Sequence, residues 1–170
     1  VIIADPGTPC PYVSAYYELP KAGRYFISNR AHGALGYSMS ATVGAAFGRP
    51  NSKIVGIMGD GSFGFTVGEL ETIVRYNVPV TLIVCSNSSY GWIKAGQKTG
   101  FGERYFSVDF NRTQHSAVAE AYGVRGFRVD NPAELKSTLA QAVAIDAPTL
   151  VDVICQPLNE ARAPVSEWIA

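Results

Sequence analysis

The chain has little charge and no excess of either sign: charged residues make up 16% of it, and fourteen Lys and Arg cancel fourteen Asp and Glu. Such a surface lacks the basic footprint that nucleic acid and anionic membranes select, so neither is expected as a partner. Cysteine is scarce. Cys10, Cys85 and Cys155 stand far apart with no CxxC or Cys/His spacing, which leaves no metal motif to read. Cys85 and Cys155 lie in apolar, strand-like runs and are expected as small buried core residues. Cys10, in a Gly/Pro-rich turn, has no sequence-adjacent base to make it a nucleophile. No apolar run approaches the roughly 18 to 20 residues that span a bilayer, and no charged leader precedes an apolar signal core, so a cytoplasmic location is expected. Internal repeats and low-complexity segments are absent too.

What the chain has is apolar bulk. At 47% hydrophobic content it can bury a full core, and 170 residues suit one ordinary domain, taken as 1–170. Val1 enters an apolar run without an initiator Met, so these residues are expected to be a fragment, or one subunit, of something larger.

Two apolar runs organise the middle. Residues 54–58 stop at Gly59-Asp60-Gly61-Ser62, a helix-compatible segment follows over about 65–76, and residues 80–85 stop at Ser86-Asn87-Ser88-Ser89-Tyr90-Gly91. As strand, helix, strand with a right-handed parallel crossover, this stretch brings both strand ends to one sheet edge and makes Asp60 and Asn87 neighbours. A carboxylate and an amide oxygen are hard donors. Magnesium takes octahedral oxygen at about 2.0–2.1 Å and keeps phosphate and water ligands of its own. Asp60, Asn87 and one backbone carbonyl leave room in that shell for phosphate oxygens and water, and free N–H groups where the helix starts favour an anion nearby. The ligand implied is a diphosphate with Mg2+.

Around this unit strands and helices alternate. A strand over 1–4 ends in Asp5-Pro6-Gly7-Thr8-Pro9, a helix over 12–19 is stopped by Pro20, and a short strand over 24–27 precedes Ser28-Asn29-Arg30. Residues 36–47, dense in small side chains, read as a closely packing helix ended by Gly48-Arg49-Pro50. Trp92 opens a helical turn to Gln97, and 98–111 reads as a substrate-facing loop. Thr113 caps a helix that Gly123 closes, 124–129 is a strand, Asn131-Pro132 opens a helix to Ile145, and 149–155 is a last buried strand. The sum is an α/β fold with three layers, α/β/α: an open, mostly parallel sheet with helices on both faces, binding ligands at its carboxyl edge.

Gly59-Asp60-Gly61, followed by Asn87 at the end of the next strand, resembles the thiamine diphosphate motif. His32-Gly33-Ala34-Leu35-Gly36 is similar to the G-x-Φ-G turn of the acetolactate synthase, pyruvate decarboxylase and benzoylformate decarboxylase family, and Asp5-Pro6-Gly7 to its D-x-G turn. The resemblance covers nearly the whole chain and implies the C-terminal diphosphate-binding domain of a thiamine diphosphate enzyme. Such an enzyme decarboxylates a 2-oxo acid and transfers the two-carbon unit to an acceptor. A simple 2-oxo acid decarboxylase or carboligase is the alternative within the class. Phe101-Gly102-Glu103-Arg104-Tyr105 resembles the acetolactate synthase segment at that place and favours the synthase. A non-catalytic nucleotide- or phosphate-binding module would share the anion-binding turns but has no use for Leu35 beside Gly33.

The resemblance implies thiamine diphosphate and Mg2+ as cofactors. Asp60 and Asn87 by side chain and Ser89 by its carbonyl would ligate the metal. Gly61, Ser62 and Gly91, with Thr8, would contact diphosphate, and Gly59 and Tyr90 belong to the same cofactor-binding loops. Leu35 sits where the family places the aliphatic wedge that bends the cofactor, and Gly33 would accept a hydrogen bond from its amine, so both count as catalytic positions. Two departures stand out. Ser86 occupies the place where the family often has the first of paired Asn residues. No segment resembles the pyrimidine-binding domain whose Glu activates the cofactor. That domain, on the same or a partner chain, is the expected partner beside a small-molecule 2-oxo acid, in a homo-oligomeric parent enzyme, and this chain alone is expected to be inactive. Glu69 and Glu71 are expected in solvated or packing roles, His32 and His115 in structural ones, and Trp92 as either core or pocket wall.

Overall fold

Parallel pairing runs through the whole sheet. The computed structural model describes residues 1–157 and 160, so the end of the expected 1–170 domain lies outside the described residues. Strands β1 (Ile2–Ala4), β2 (Phe26–Ile27), β3 (Ile54–Gly59), β4 (Val80–Ser86), β5 (Arg125–Val129) and β6 (Thr149–Ile154) form one sheet in the order β2-β1-β3-β4-β6-β5. Every neighbouring pair is parallel. β3 and β4 stay in register from Ile54 against Val80 to Gly59 against Cys85, which puts the two polar loops side by side.

The helices are α1 (Pro9–Tyr16), α2 (Tyr37–Gly48), α3 (Asp60–Thr66), α4 (Glu69–Arg75), α5 (Gly91–Gly100), α6 (His115–Tyr122) and α7 (Leu135–Ala144). Pleat parity sorts the sheet faces. Ile54, Met58, Leu82, Val84 and Leu150 join Met39, Leu70, Ile73 and Ala119 in the main core, under α2, α4 and α6. Val129 and Val151 pack on Ala142 of α7 from the opposite face. Each fully buried side chain of the size of Leu70 or Ile73 contributes about 1.5–3 kcal/mol. That layer outweighs an exposed pair such as Glu71–Arg75, since such pairs give about 0.3–0.5 kcal/mol on a helix.

Several boundaries differ from the expected ones. The crossover holds two helices: extended Gly59 delivers the chain into α3 at Asp60 itself, and Val67 and Gly68 separate α3 from α4. α1 starts at Pro9, whose fixed φ suits a first helical position. α5 runs to Gly100 and takes the start of the expected loop. The strand expected over 24–27 keeps only Phe26 and Ile27. α6 begins at His115, not beside a Thr113 cap, because the Asp152 side chain accepts the His115 N–H at 3.0 Å. Gly123, at φ +93°, ends α6 as expected. No helix among the described residues is long and apolar enough to cross a membrane.

Two carboxylates, both fully buried, tie helix starts to strand ends. Asp5 accepts the N–H of Gly36 at 2.9 Å and of Ser38 at 2.6 Å, so the turn after β1 holds the start of α2. Asp152 on β6 accepts Ser86 Oγ–H at 2.5 Å and an Arg128 N–H at 3.4 Å, besides the His115 N–H. Ser86 Oγ also lies 2.9 Å from His115 Nδ1. Burial pushes the Asp152 carboxyl up, but the hydrogen bonds from His115 and Ser86 prevail and hold it below its ordinary 3.8. Asp152→Ala is expected to cost about 3 kcal/mol in urea unfolding, because three donors lose a buried acceptor. A depressed folded pKa gives stability that is present above the ordinary 3.8 and lost as pH falls through the lowered value. The gap between wild type and variant therefore narrows in acid.

Candidate functional site

The loops after β3 and β4 fold around one carboxylate. Asp60, 5% exposed, accepts the Gly61 N–H on Oδ1 at 2.9 Å, and the N–H groups of Asn87 and Ser88 on Oδ2 at 2.8 and 2.6 Å. Burial raises the Asp60 pKa, and the N–H groups of Ser88, Gly61 and Asn87 offset only part of that rise. The anion is undercompensated, so a cation beside it would be stabilising. Asn87 Oδ1 accepts the Ser89 N–H at 3.0 Å in a side-chain turn that carries Ser88 at φ +56°. From outside, the Tyr90 N–H donates to the Val108 carbonyl at 2.9 Å and the Phe110 N–H to the Ser88 carbonyl at 3.1 Å, latching the loop.

A third loop arrives from the start of α2. Gly36 has φ +86°, and a Cβ there would stand 2.7 Å from Thr66 Cγ2, so only glycine fits. With the Gly36 N–H held by Asp5, Leu35 keeps 36% of its surface exposed on the cavity rim. The turn after β1 is the neighbour: a Cβ on Gly7 would lie 3.7 Å from Leu35 Cδ2 and 4.0 Å from Trp92 Cδ1. Arg30 braces this corner, donating to the Pro6 carbonyl at 2.9 Å with its guanidinium 5.7 Å from the Trp92 ring.

Together these loops enclose a cavity of about 400 Å³, a volume within the range of cofactor sites. Thr8, Leu35, Gly59, Asp60, Gly61, Ser62, Asn87, Ser89, Tyr90 and Gly91 all line it. Gly33 is not on its wall; it turns the chain at φ +74° with its N–H on the Asn29 carbonyl at 2.9 Å. α5 starts on the wall at Gly91 without a side-chain cap, leaving N–H groups for an anion. Ser89 Oγ and Trp92 Nε1 are buried with no partner among the described residues, and both residues line the cavity. Unpaired buried polar atoms are costly and call for an explanation; a polar ligand supplies one. Trp92 is thus pocket wall. No glutamate lines the cavity among the described residues.

Two expectations need correction. Cys85 and Cys155 are not core residues: both are half-buried on the cavity wall, because they share the sheet face of Ile57 and Gly59. The Cys155 thiol donates to the Val153 carbonyl at 3.4 Å, and its proximity together with burial pushes the Cys85 thiol well up. Parity along β3 and β4 carried that signal, since Cys85 pairs with Gly59. Tyr12, Ile93 and Gln156 also line the cavity, and no motif marked them. His115 is structural as expected and partners Ser86, whose short hydroxyl reaches Asp152 beneath the loop that carries Asn87. His32 lies off the cavity in an exposed turn, and Glu71 pairs with Arg75 at 3.1 Å in solvent.

The family described as thiamine pyrophosphate enzyme, C-terminal TPP binding domain, matches residues 5–153. The chain is 31% identical over 158 residues to a probable acetolactate synthase large subunit of Methanococcus aeolicus, covering 92% of this chain and 26% of that protein. It is 32% identical over 152 residues to an acetolactate synthase of Bacillus subtilis (strain 168), covering 89% of this chain and 26% of that protein. A thiamine diphosphate-dependent 4-hydroxybenzoylformate decarboxylase of Rhodococcus jostii RHA1 superposes with a TM-score of 0.83 at 26% identity, covering 92% of this chain and 29% of that one. The chain spans about a quarter of the length of these curated relatives. Because the family match runs from Asp5 to Val153 and takes in the loops after β1, β3 and β4 and the turn before α2, the chain belongs to the thiamine pyrophosphate enzymes, as their C-terminal TPP-binding domain.

Proposed function

We propose that this chain holds the diphosphate end of thiamine diphosphate, with Mg2+, in an acetolactate synthase-like enzyme that decarboxylates a 2-oxo acid and transfers the two-carbon unit to an acceptor. The observation that carries the reading is the meeting of Asp60, Asn87 and Leu35 on one cavity whose Ser89 and Trp92 polar atoms lack partners. The names of the curated relatives favour the synthase over a decarboxylase or carboligase.

The donor set suits the group. Asp60 and Asn87 by side chain and Ser89 by carbonyl would hold Mg2+ with hard oxygens, and the cation would meet the undercompensated charge on Asp60. Gly61, Ser62, Gly91 and Thr8 would receive the diphosphate, and the Gly33 carbonyl would take the cofactor's amine. When bound, thiamine diphosphate supplies the electron sink that loss of carbon dioxide from a 2-oxo acid requires. This chain's part is positioning. Asp5 fixes the Gly36 N–H and so the turn that carries Leu35, whose aliphatic side chain would hold the bound cofactor in the conformation its chemistry needs.

No glutamate lines the cavity among the described residues, which supports an activating carboxylate supplied from elsewhere. We assign it to a pyrimidine-binding domain, on the same or a partner chain of a homo-oligomer, closing the cavity over Leu35. On this reading these residues alone turn nothing over.

Calorimetry tests the assignment: Mg2+-dependent binding of thiamine diphosphate is expected, with ATP and NAD weaker, and tighter nucleotide binding would overturn it. At free cofactor about 100-fold above Kd, linkage stabilises the fold by about 2.7 kcal/mol, seen as a rise in Tm that EDTA removes. Asp60→Ala is expected to abolish the Mg2+-dependent binding while circular dichroism still reports the fold. Leu35→Ala in the parent enzyme is expected to lower kcat about tenfold or more, with cofactor Kd changed far less; equal losses in both would count against the wedge.

A further inference from the structure

We propose that Tyr90 is a positioning residue: its ring is the partition between the Asp60 end of the cofactor cavity and a second cavity, and it keeps water away from the carboxylate at which metal and diphosphate would be held. The part played toward metal and diphosphate rests on the function proposed above; the partition does not.

The second cavity measures about 590 Å³ and lies between α3, the start of α6 and the segment 107–113. Phe65 and Asp109, both exposed, stand on its wall, so it is open to solvent. Asp60, Gly61 and Tyr90 line both cavities. Asp60 is 5% exposed with three N–H groups on it, and Gly61 has no side chain. Of the three, Tyr90 has the bulk to fill the space between.

Two neighbours seat the ring. It lies against the Gly61 backbone, where a Cβ would stand 2.5 Å from Tyr90 Cε1 and 2.9 Å from Cδ1. Phe110 meets it edge-on at a centroid distance of 5.2 Å, and the bridge between Ser89 and Asp109, with the Tyr90 N–H on the Val108 carbonyl at 2.9 Å, holds that segment in place. Gly61 is the second residue of α3 and its φ is not in the left-handed region, so its backbone would admit alanine. The Tyr90 ring is what excludes a side chain there. Gly61 and Tyr90 thus form one lock. With the ring in place, the Gly61, Asn87 and Ser88 N–H groups reach Asp60 in surroundings poor in water, where each bond is stronger than in solvent and a bound cation is less screened. Without it the two cavities join, and water competes for the same lone pairs. Ring carbons make these contacts, so phenylalanine would make them too.

The test is amide exchange by NMR on the full chain, with calorimetry for thiamine diphosphate and Mg2+. In Tyr90→Ala the Gly61, Asn87 and Ser88 amides are expected to exchange about tenfold faster or more, while the amide of fully buried Leu82 in β4 keeps its rate. Cofactor Kd is expected to rise about tenfold or more, and Tyr90→Phe to restore both readings. Gly61→Ala, which displaces the ring without removing it, is expected to reproduce both effects and to add little when combined with Tyr90→Ala. Unchanged exchange around Asp60 or an unchanged Kd in Tyr90→Ala, an equal acceleration at Leu82, or a Gly61→Ala loss that persists in full beside Tyr90→Ala would each overturn the proposal. Absence of thiamine diphosphate binding in the wild-type chain would instead sink the reading of the cavity, while the exchange pattern still decides the partition.

Discussion

The Asp60 carboxylate takes N–H groups from Gly61, Asn87 and Ser88, and through them the ends of β3 and β4 become one object. Parallel strands bring their carboxyl ends to a common edge but do not by themselves join the loops that leave them. Here the joining group is an anion, and it is buried, so the loop after β4 must keep its backbone donors turned inward to offset the desolvation. That requirement accounts for Ser88 in the left-handed region and for the Asn87 side-chain turn onto Ser89. Asp60 is first of all the fold's acceptor at that edge, and backbone donors orient its lone pairs.

A second tier of buried acceptors supports the first. Asp5 fixes the start of α2, and Asp152 draws Ser86, His115 and Arg128 together under the last residue of β4. The three carboxylates lie on three strands or their ends, and each spends its charge on donors from a neighbouring element. Ser86 therefore has a positive role where the family often carries an asparagine. A short hydroxyl reaches Asp152 and the His115 ring at once, and the main-chain course into Asn87 is held from below.

The sheet and the edge where Asp60 and Asn87 meet could be read from the residues, because apolar runs ended by Gly59-Asp60-Gly61 and by Ser86-Asn87 mark strand, turn and helix by local chemistry alone. Leu35 could be placed because its flanking glycines mark a turn. What stayed hidden depends on side chains meeting across the fold. Asp5 and Asp152 are ordinary acidic residues in sequence, and nothing local says that one will accept the N–H groups of Gly36 and Ser38 and the other the N–H of His115. The cysteines were misplaced because an apolar run looks the same whether one pleat faces a helix or a cavity. Helix starts shifted for a related reason: a tertiary acceptor took the place of the Thr113 cap on α6, and Gly59 fed α3 without any cap.

Leu35 remains, with about a third of its surface in water at the rim of a largely apolar cavity. An aliphatic side chain fixed there by backbone bonds cannot retreat into the core, so its hydration shell persists until a flat apolar surface covers it. Releasing that shell lowers the heat capacity of the complex and makes the contact chiefly entropic near room temperature. Cold therefore weakens any apolar contact made at Leu35, whereas the hydrogen bonds gathered on Asp60 do not depend on that effect. The two ends of the cavity respond to temperature by different physics.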